Sequence, residues 1–311
     1  MYDALGLTAN IPSVRKPRNL VTGMLFTSYE HQARKSEDKR DRTWHTAFHG
    51  SNFPGNTLKN CQRQAMYGLL GVPHDGNFSA ASIGIMDAGK DIELNFVRYM
   101  KEAYGILSPG PDEKQWVLRD DEAMLVGSPD VVVLDQESNR PYVVEIKTKD
   151  HDKVIDMRLG KISLDEYHRW QCLTYIHMVR LHHDRLFGSL DLKPCVAGSI
   201  IYASRNRPLT VCEFELKFDE LTYRSCRDSL VRWRDDFMND VLEERDKSWK
   251  WTEQPCDWCD FKKTCKQDYK DGVLAISDSC GISKGVKAYG DEDYSYETVK
   301  GEIRERWSVD D

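Results

Sequence analysis

Glu145 and Lys147 stand two residues apart in "RPYVVEIKTKD" (140–150), at the end of the apolar run Tyr142 to Val144. Side chains of a strand alternate between its faces, so both charges point the same way. Asp130 opens another apolar run, "DVVVLD", and the link "LDQESNRPY" is short enough for a hairpin. A hairpin brings the start of its first strand beside the end of its second, which sets Asp130 next to Glu145 and Lys147. Two carboxylates held this close repel each other, and a divalent cation between them relieves the cost. Hard oxygen donors with open positions suit Mg²⁺ or Mn²⁺. Such an ion activates water and stabilises charge on a transferring phosphoryl group, and a neighbouring lysine orients or deprotonates the water. The competing reading is a turn aspartate with a surface ion pair, and the apolar neighbours weaken it.

Two further groups bear on that chemistry. Glu93 falls on the side of a helical pattern that also carries Met86, Val97 and Met100, where an unpaired carboxylate is costly. A metal compensates it, and so does a buried ion pair with lysine or arginine. Gln171 and Tyr175 are one helical turn apart and face one direction, able to contact a phosphate or a bound water.

The cysteines carry a separate chemistry. Of nine, Cys172, Cys195, Cys212, Cys226 and Cys280 are scattered and read as small buried residues. Cys256, Cys259 and Cys265 form a compact ligand run whose Trp258 and Phe261 are suited to keep water out. Three close thiols ask for a fourth ligand, and Cys61 is the candidate, though spacing alone does not select it over Cys280. Four cysteines accept either zinc or an iron–sulfur cluster, so spacing leaves both open.

The elements that must position these residues follow from periodicity. "NTLKNCQRQAMYGLLGV" reads as a helix with Asn56 or Thr57 near its cap and Gly71 near its end, and a second covers Ala80 to Tyr104. Short strands follow in "QWVLRD", "AMLVG", "DVVVLD" and "YVVEIKT". "SLDEYHRWQCLTYIHMVRLHH" is an amphipathic helix with Ser163 as N-cap and Glu166 at the capping-box position. Strands in "CVAGSIIYAS" and "PLTVCEFELKF" precede a charged helix from about Asp219 to Lys247. This order implies a mixed sheet flanked by helices. Residues 1–55 read as an N-terminal arm, 56–270 as the core with its cysteine module, and 271–311 as an acidic, poorly ordered or partner-dependent tail.

The chain of 311 residues is long enough for a sizeable core. No apolar run approaches a membrane span and the start lacks a signal peptide's pattern, so the expected location is cytoplasmic, or the host cytoplasm if the gene is phage-borne. The net charge of −7 excludes an overall basic coat but not a local basic groove for nucleic acid. No helicase phosphate-binding loop is present.

Together these residues resemble the RecB-like branch of the PD-(D/E)XK nucleases. The resemblance runs through Pro129-Asp130, Glu145-Ile146-Lys147 and the Q-x-x-x-Y signature at Gln171 to Tyr175, with Gly89 and Glu93 in the family's preceding helix. It covers about Asn56 to Gln267. It implies a restriction-endonuclease-like core and metal-dependent hydrolysis of DNA phosphodiesters. Asp130, Glu145, Glu93 and the main-chain carbonyl of Ile146 would serve as ligands, and Lys147 as the catalytic lysine.

The cysteines resemble those of an iron–sulfur subset that includes the CRISPR-associated adaptation nuclease and the AddB nuclease domain. "NCQRQAMYGLLG" and "CDWCDFKKTC" match both halves of its pattern, with Gln62 where a proline is usual. That implies a [4Fe–4S] cluster on Cys61, Cys256, Cys259 and Cys265, ahead of zinc, in a mainly structural role. The implied activity is a DNA exonuclease acting at ends of single-stranded or partly opened DNA, in recombination, repair, replication or CRISPR adaptation. Arg63, Lys149 and Arg169 are candidate strand contacts. The alternative is a DNA-end-binding accessory subunit that cuts weakly or only with a protein partner. A homo-oligomer is also compatible.

Overall fold

Valines and isoleucines are stiff at χ1 and pack well on a pleated surface, and they dominate the centre of the chain. The computed structural model describes residues 47–49, 61–72, 80–103, 106–108, 115–205, 210–253, 256–281 and 296–307. Strands β5 (Val131–Asp135) and β6 (Arg140–Lys149) form the expected antiparallel hairpin, with Val131 opposite Val144. Its turn is closed by Asn139 at a positive φ of 54°, a conformation asparagine tolerates better than most residues. β6 is the centre of a five-stranded sheet in the order β2-β5-β6-β7-β8, with β2 at Ile106–Ser108, β7 at Ala197–Ser204 and β8 at Val211–Lys217. β6 and β7 run parallel, all other neighbours antiparallel. The sheet is therefore mixed.

A parallel pair needs a crossover. It is supplied by α3 (His151–Arg158), α4 (Glu166–Leu181) and α5 (His183–Phe187). The side chains of β6 divide accordingly. Val144 and Ile146 meet Phe96, Val97 and Met100 of α2 (Ala80–Ala103), while Val143 joins the larger core with Cys172, Leu173 and Ile176 of α4. Helices on both faces confirm an α/β architecture.

Several local expectations change. Asp165, not Ser163, caps α4, accepting from the Tyr167 amide at 3.0 Å. α3 falls in a stretch with no strong apolar period; only Val154 and Met157 are buried in it. The charged helix, α6, spans Glu220–Met238 and stops well before Lys247, because Asp240 turns the chain through a φ of 62°. In α2, Met86 is 44% exposed and outside the buried stripe. α1 is Gln62–Leu69 with Cys61 at its N-cap; Asn56 and Thr57 lie outside the described residues.

Described segments within the expected arm and tail pack onto the rest of the chain. Within the expected arm, β1 (Phe48–His49) pairs parallel to β4 (Leu125–Gly127), which pairs with β3 (Leu118–Asp120) in a second sheet. Phe48 is buried, edge-on to Trp233 of α6 at 6.1 Å. Beyond residue 271, α8 (Tyr296–Trp307) buries Ile303 and Trp307 in the main core, with the Arg119 guanidinium 4.2 Å from the Trp307 ring centre. Apolar burial outweighs the polar average of this stretch. Among the described residues, no helix is long and apolar enough to cross a membrane.

Candidate active site

β5 and β6 place the acidic–lysine group as their register requires. Val131 pairs with Val144, so Asp130 lies beside Glu145 and accepts from the Ile146 amide at 2.8 Å. Ile146 thus takes part through its N–H. Glu145 is buried, and its Oε1 accepts from Lys147 Nζ at 2.6 Å. Its other oxygen, Oε2, is buried with no hydrogen-bond partner among the described residues. A buried carboxylate oxygen left open is costly unless something cationic or protonated faces it.

Glu93 reaches the same group from α2. Burial, and then the Asp130 charge, push its carboxyl up to about 7. Gln115 lies 3.5 Å from it, a neighbour that no sequence motif announced. Burial, and then Asp130, push Glu145 up to about 8; burial also raises Asp130. Lys147 goes the other way. Burial disfavours its charge, yet Glu145 and Asp130 hold the ammonium above the usual lysine range.

Three crowded carboxyls with raised values and one open oxygen are groups that could hold a hard cation. Among the described residues, no three His, Cys, Asp or Glu side chains already stand at ligand spacing. Glu145 is turned toward Lys147, whose ammonium takes the place of a cation as counter-charge.

Two glycines let the helices come near. A Cβ on Gly89 would lie 3.2 Å from Thr148 Oγ1 of β6, so glycine permits the close approach of α2 one turn before Glu93. A Cβ on Gly127 would lie 2.6 Å from the Tyr175 ring, so glycine lets α4 settle over the end of β4 just before Asp130. Tyr175 is buried there, and its hydroxyl accepts from Gln171 Nε2 at 3.0 Å. Burial raises the Tyr175 hydroxyl, and the Glu145 charge adds to it. The Q-x-x-x-Y pair therefore backs the carboxylates.

The expected strand contacts separate. Arg63 is buried and is no surface contact: it donates to the Glu243 and Val273 carbonyls at 2.7 and 2.6 Å and to the Tyr67 hydroxyl at 3.4 Å. Its hydrogen-bonding capacity goes into tying α1 to the later chain. Lys149 lies 5.3 Å from the Tyr202 ring centre, beside the Tyr202 hydroxyl's contact with His168 at 2.8 Å. Arg169 is exposed and paired to Glu166 at 3.2 Å.

Cys61, Cys256, Cys259 and Cys265 line one pocket, with Tyr67, Arg245, Trp249 and Trp251 among its other walls. Cys280 is turned elsewhere, its Sγ 4.0 Å from the Thr264 carbonyl and its amide on Asp268 at 2.9 Å. Burial pushes Cys259 and Cys265 up to about 12, and each feels the Cys61 charge. The four thiols share this pocket, although among the described residues no three of them stand at metal-ligand spacing. Phe261 is buried edge-on to Tyr67 at 5.7 Å, as a water-excluding wall would be. The Trp258 side chain lies outside what is described.

Comparison with known proteins gives a family and a fold. A family model described as the PD-(D/E)XK nuclease superfamily matches residues 90–266. No curated protein matches the sequence. Two similar solved structures are those of LHK-Exo, an alkaline exonuclease from Laribacter hongkongensis. The first, in complex with dAMP, is 14% identical with a TM-score of 0.42, covering 63% of this chain and 89% of that one. The second is 13% identical with a TM-score of 0.42, covering 62% and 89%.

Proposed function

The chain belongs to the PD-(D/E)XK nuclease superfamily, and we propose from this that it is a Mg²⁺- or Mn²⁺-dependent deoxyribonuclease of the exonuclease type, acting on single-stranded or partly opened DNA ends. The observation that carries the metal-dependent reading is the crowding of the buried Glu145 carboxyl against Asp130, with its Oε2 given no hydrogen-bond donor among the described residues. Asp130, Glu145 and Glu93 would hold the ion, with the main-chain carbonyl of Ile146. When bound, the ion supplies an activated water and neutralises charge at phosphorus.

The chain's own groups divide the remaining work. The Ile146 amide fixes Asp130. Lys147, kept protonated by Glu145 and Asp130, is a donor and a fixed positive charge, suited to steady the developing phosphorane oxygens. Gln171 and Tyr175 wall the carboxylates from α4. The exonuclease type and the preference for single strands rest on the RecB-like residues, not on the solved neighbours.

We propose further that Cys61, Cys256, Cys259 and Cys265 hold a [4Fe–4S] cluster, with zinc as the other occupant. Its role is structural, because the pocket unites α1 with residues 256–265.

Wild-type protein with Mn²⁺ is expected to degrade end-labelled single-stranded DNA and leave a single-stranded circle intact. Lys147→Ala is expected to be slower by about 10²- to 10³-fold. Equal rates in the two proteins would remove Lys147 from the mechanism. Cutting of the circle would replace the exonuclease by an endonuclease, and binding without cutting would favour the accessory subunit. Anaerobically purified protein is expected to be brown, with iron and sulfide; colourless protein with zinc would reverse the cluster assignment.

A further inference from the structure

Arg245 is the most conspicuous buried charge outside the acidic site. It is 6% exposed, and among the described residues no carboxylate pairs with it. Its neighbour Asp246 is turned to solvent and accepts from the amide and hydroxyl of Ser248, and the Arg245 charge acts on it only after those bonds. Glu244 and Glu253 are committed to Lys247 and Lys250. The guanidinium lies flat against Trp251, 4.0 Å from the ring centre, and 5.8 Å from that of Tyr269. One terminal nitrogen donates to the Trp249 carbonyl and stands 3.7 Å from Cys256 Sγ, while Nε has no partner among the described residues.

A buried cation with no carboxylate in contact among the described residues costs several kcal/mol. The aromatic faces lower that cost but do not neutralise the charge. What remains within reach is sulfur. The pocket that Arg245 lines contains all four cysteines. Four thiolates outweigh the charge of a divalent ion or of an iron–sulfur core, so an occupied pocket is net negative whichever centre it holds. The cation and the pocket then complete each other.

We infer that Arg245 is a positioning residue for the cysteine site, donating to the Cys256 sulfur and supplying the buried counter-charge of the thiolate-bound metal centre. The inference rests on the reading of the four cysteines as a metal site. It goes beyond that reading in assigning a residue outside the cysteine pattern, which Trp251 and the Trp249 carbonyl hold in place. Hydrogen bonds to ligating sulfur stabilise the more negative oxidation state and so raise a cluster's reduction potential.

The test is a Co²⁺ titration of the full-length metal-free protein, followed by the thiolate-to-cobalt charge-transfer band, on wild type, Arg245→Met and Arg245→Lys. Removing an outer partner of a metal ligand typically weakens binding about 10- to 100-fold. That loss is expected for Arg245→Met. Arg245→Lys, which keeps the charge, is expected to stay nearer wild type. On reconstituted cluster, the reduction potential of Arg245→Met is expected to be more negative, a change that mere packing would not produce. Equal Co²⁺ affinity and equal potential in wild type and Arg245→Met would overturn the inference. If Arg245→Met does not fold, Arg245→Lys decides. Affinity within a few-fold of wild type supports the charge pairing, and a tenfold or greater loss in a folded Arg245→Lys protein overturns it. Wild type that takes up neither Co²⁺ nor iron would instead retire the metal reading of the cysteines, an outcome distinct from a loaded wild type indifferent to Arg245.

Discussion

Glu145 carries its carboxyl at about 8, against an unperturbed 4.5, because burial and Asp130 both disfavour its charge. A carboxyl raised in this way binds more protons in the folded than in the unfolded state. Metal-free protein therefore loses stability as pH rises from about 4.5 to about 8 and changes little from this source above that range. Urea midpoints measured in chelator across that window are expected to fall, and Glu145→Gln is expected to flatten the slope. Metal binding runs oppositely in pH. The same carboxyls must lose protons to become ligands, so Mn²⁺ affinity is expected to rise through pH 7 and 8, where Glu93 and Glu145 titrate. Titration calorimetry at several pH values checks it, and an affinity independent of pH would mean that neither group is a ligand.

At the scale of elements, the hairpin of β5 and β6 was legible because alternation and a short turn leave one register, and that register alone puts Asp130 beside Glu145. Glu93 was legible only as a charge on an apolar helix side; that α2 reaches the carboxylates depends on Gly89 against Thr148. Gly89→Ala is expected to keep the fold but weaken Mn²⁺ affinity, because the 3.2 Å contact must open by a few tenths of an ångström. Gly127→Ala meets the Tyr175 ring at 2.6 Å and is expected to cost about 1–3 kcal/mol in chemical denaturation, as overpacking does. α3 was not legible, since only two of its side chains are buried and its position is set by the crossover between β6 and β7. The cap of α4 lies two residues beyond Ser163 because Ser163 and Asp165 both suit an N-cap, and only the path of the chain after α3 selects Asp165. Arg63 read as surface because nothing in a sequence says which arginine will meet two backbone carbonyls.

For the whole molecule, described segments near both ends of the sequence, 47–49 and 296–307, are structural parts. Asp268 of α7 (Lys262–Lys270) is fully buried and accepts from the Tyr67 hydroxyl at 2.8 Å, the Ser279 hydroxyl at 2.5 Å and the Cys280 amide at 2.9 Å. It binds α1, α7 and the segment after α7 into one body. α8 adds Trp307 to the core, and Trp307→Ala is expected to cost about 3–5 kcal/mol, read as a lowered denaturation midpoint. A polar, acidic composition hid this helix, since a few buried side chains do not stand out in a charged stretch. The same long-range bonds constrain how the protein is made. Arg63 waits for carbonyls 180 and 210 positions further on. At about 5–20 residues per second of synthesis, that is a delay on the order of ten to forty seconds, during which α1 has left the ribosome without its partners. The β5–β6 hairpin is translated well inside that interval, before the carbonyls that hold α1 exist. Docking of α1 through Arg63 therefore cannot precede synthesis of Val273, and the four cysteines cannot meet before Cys265 is made.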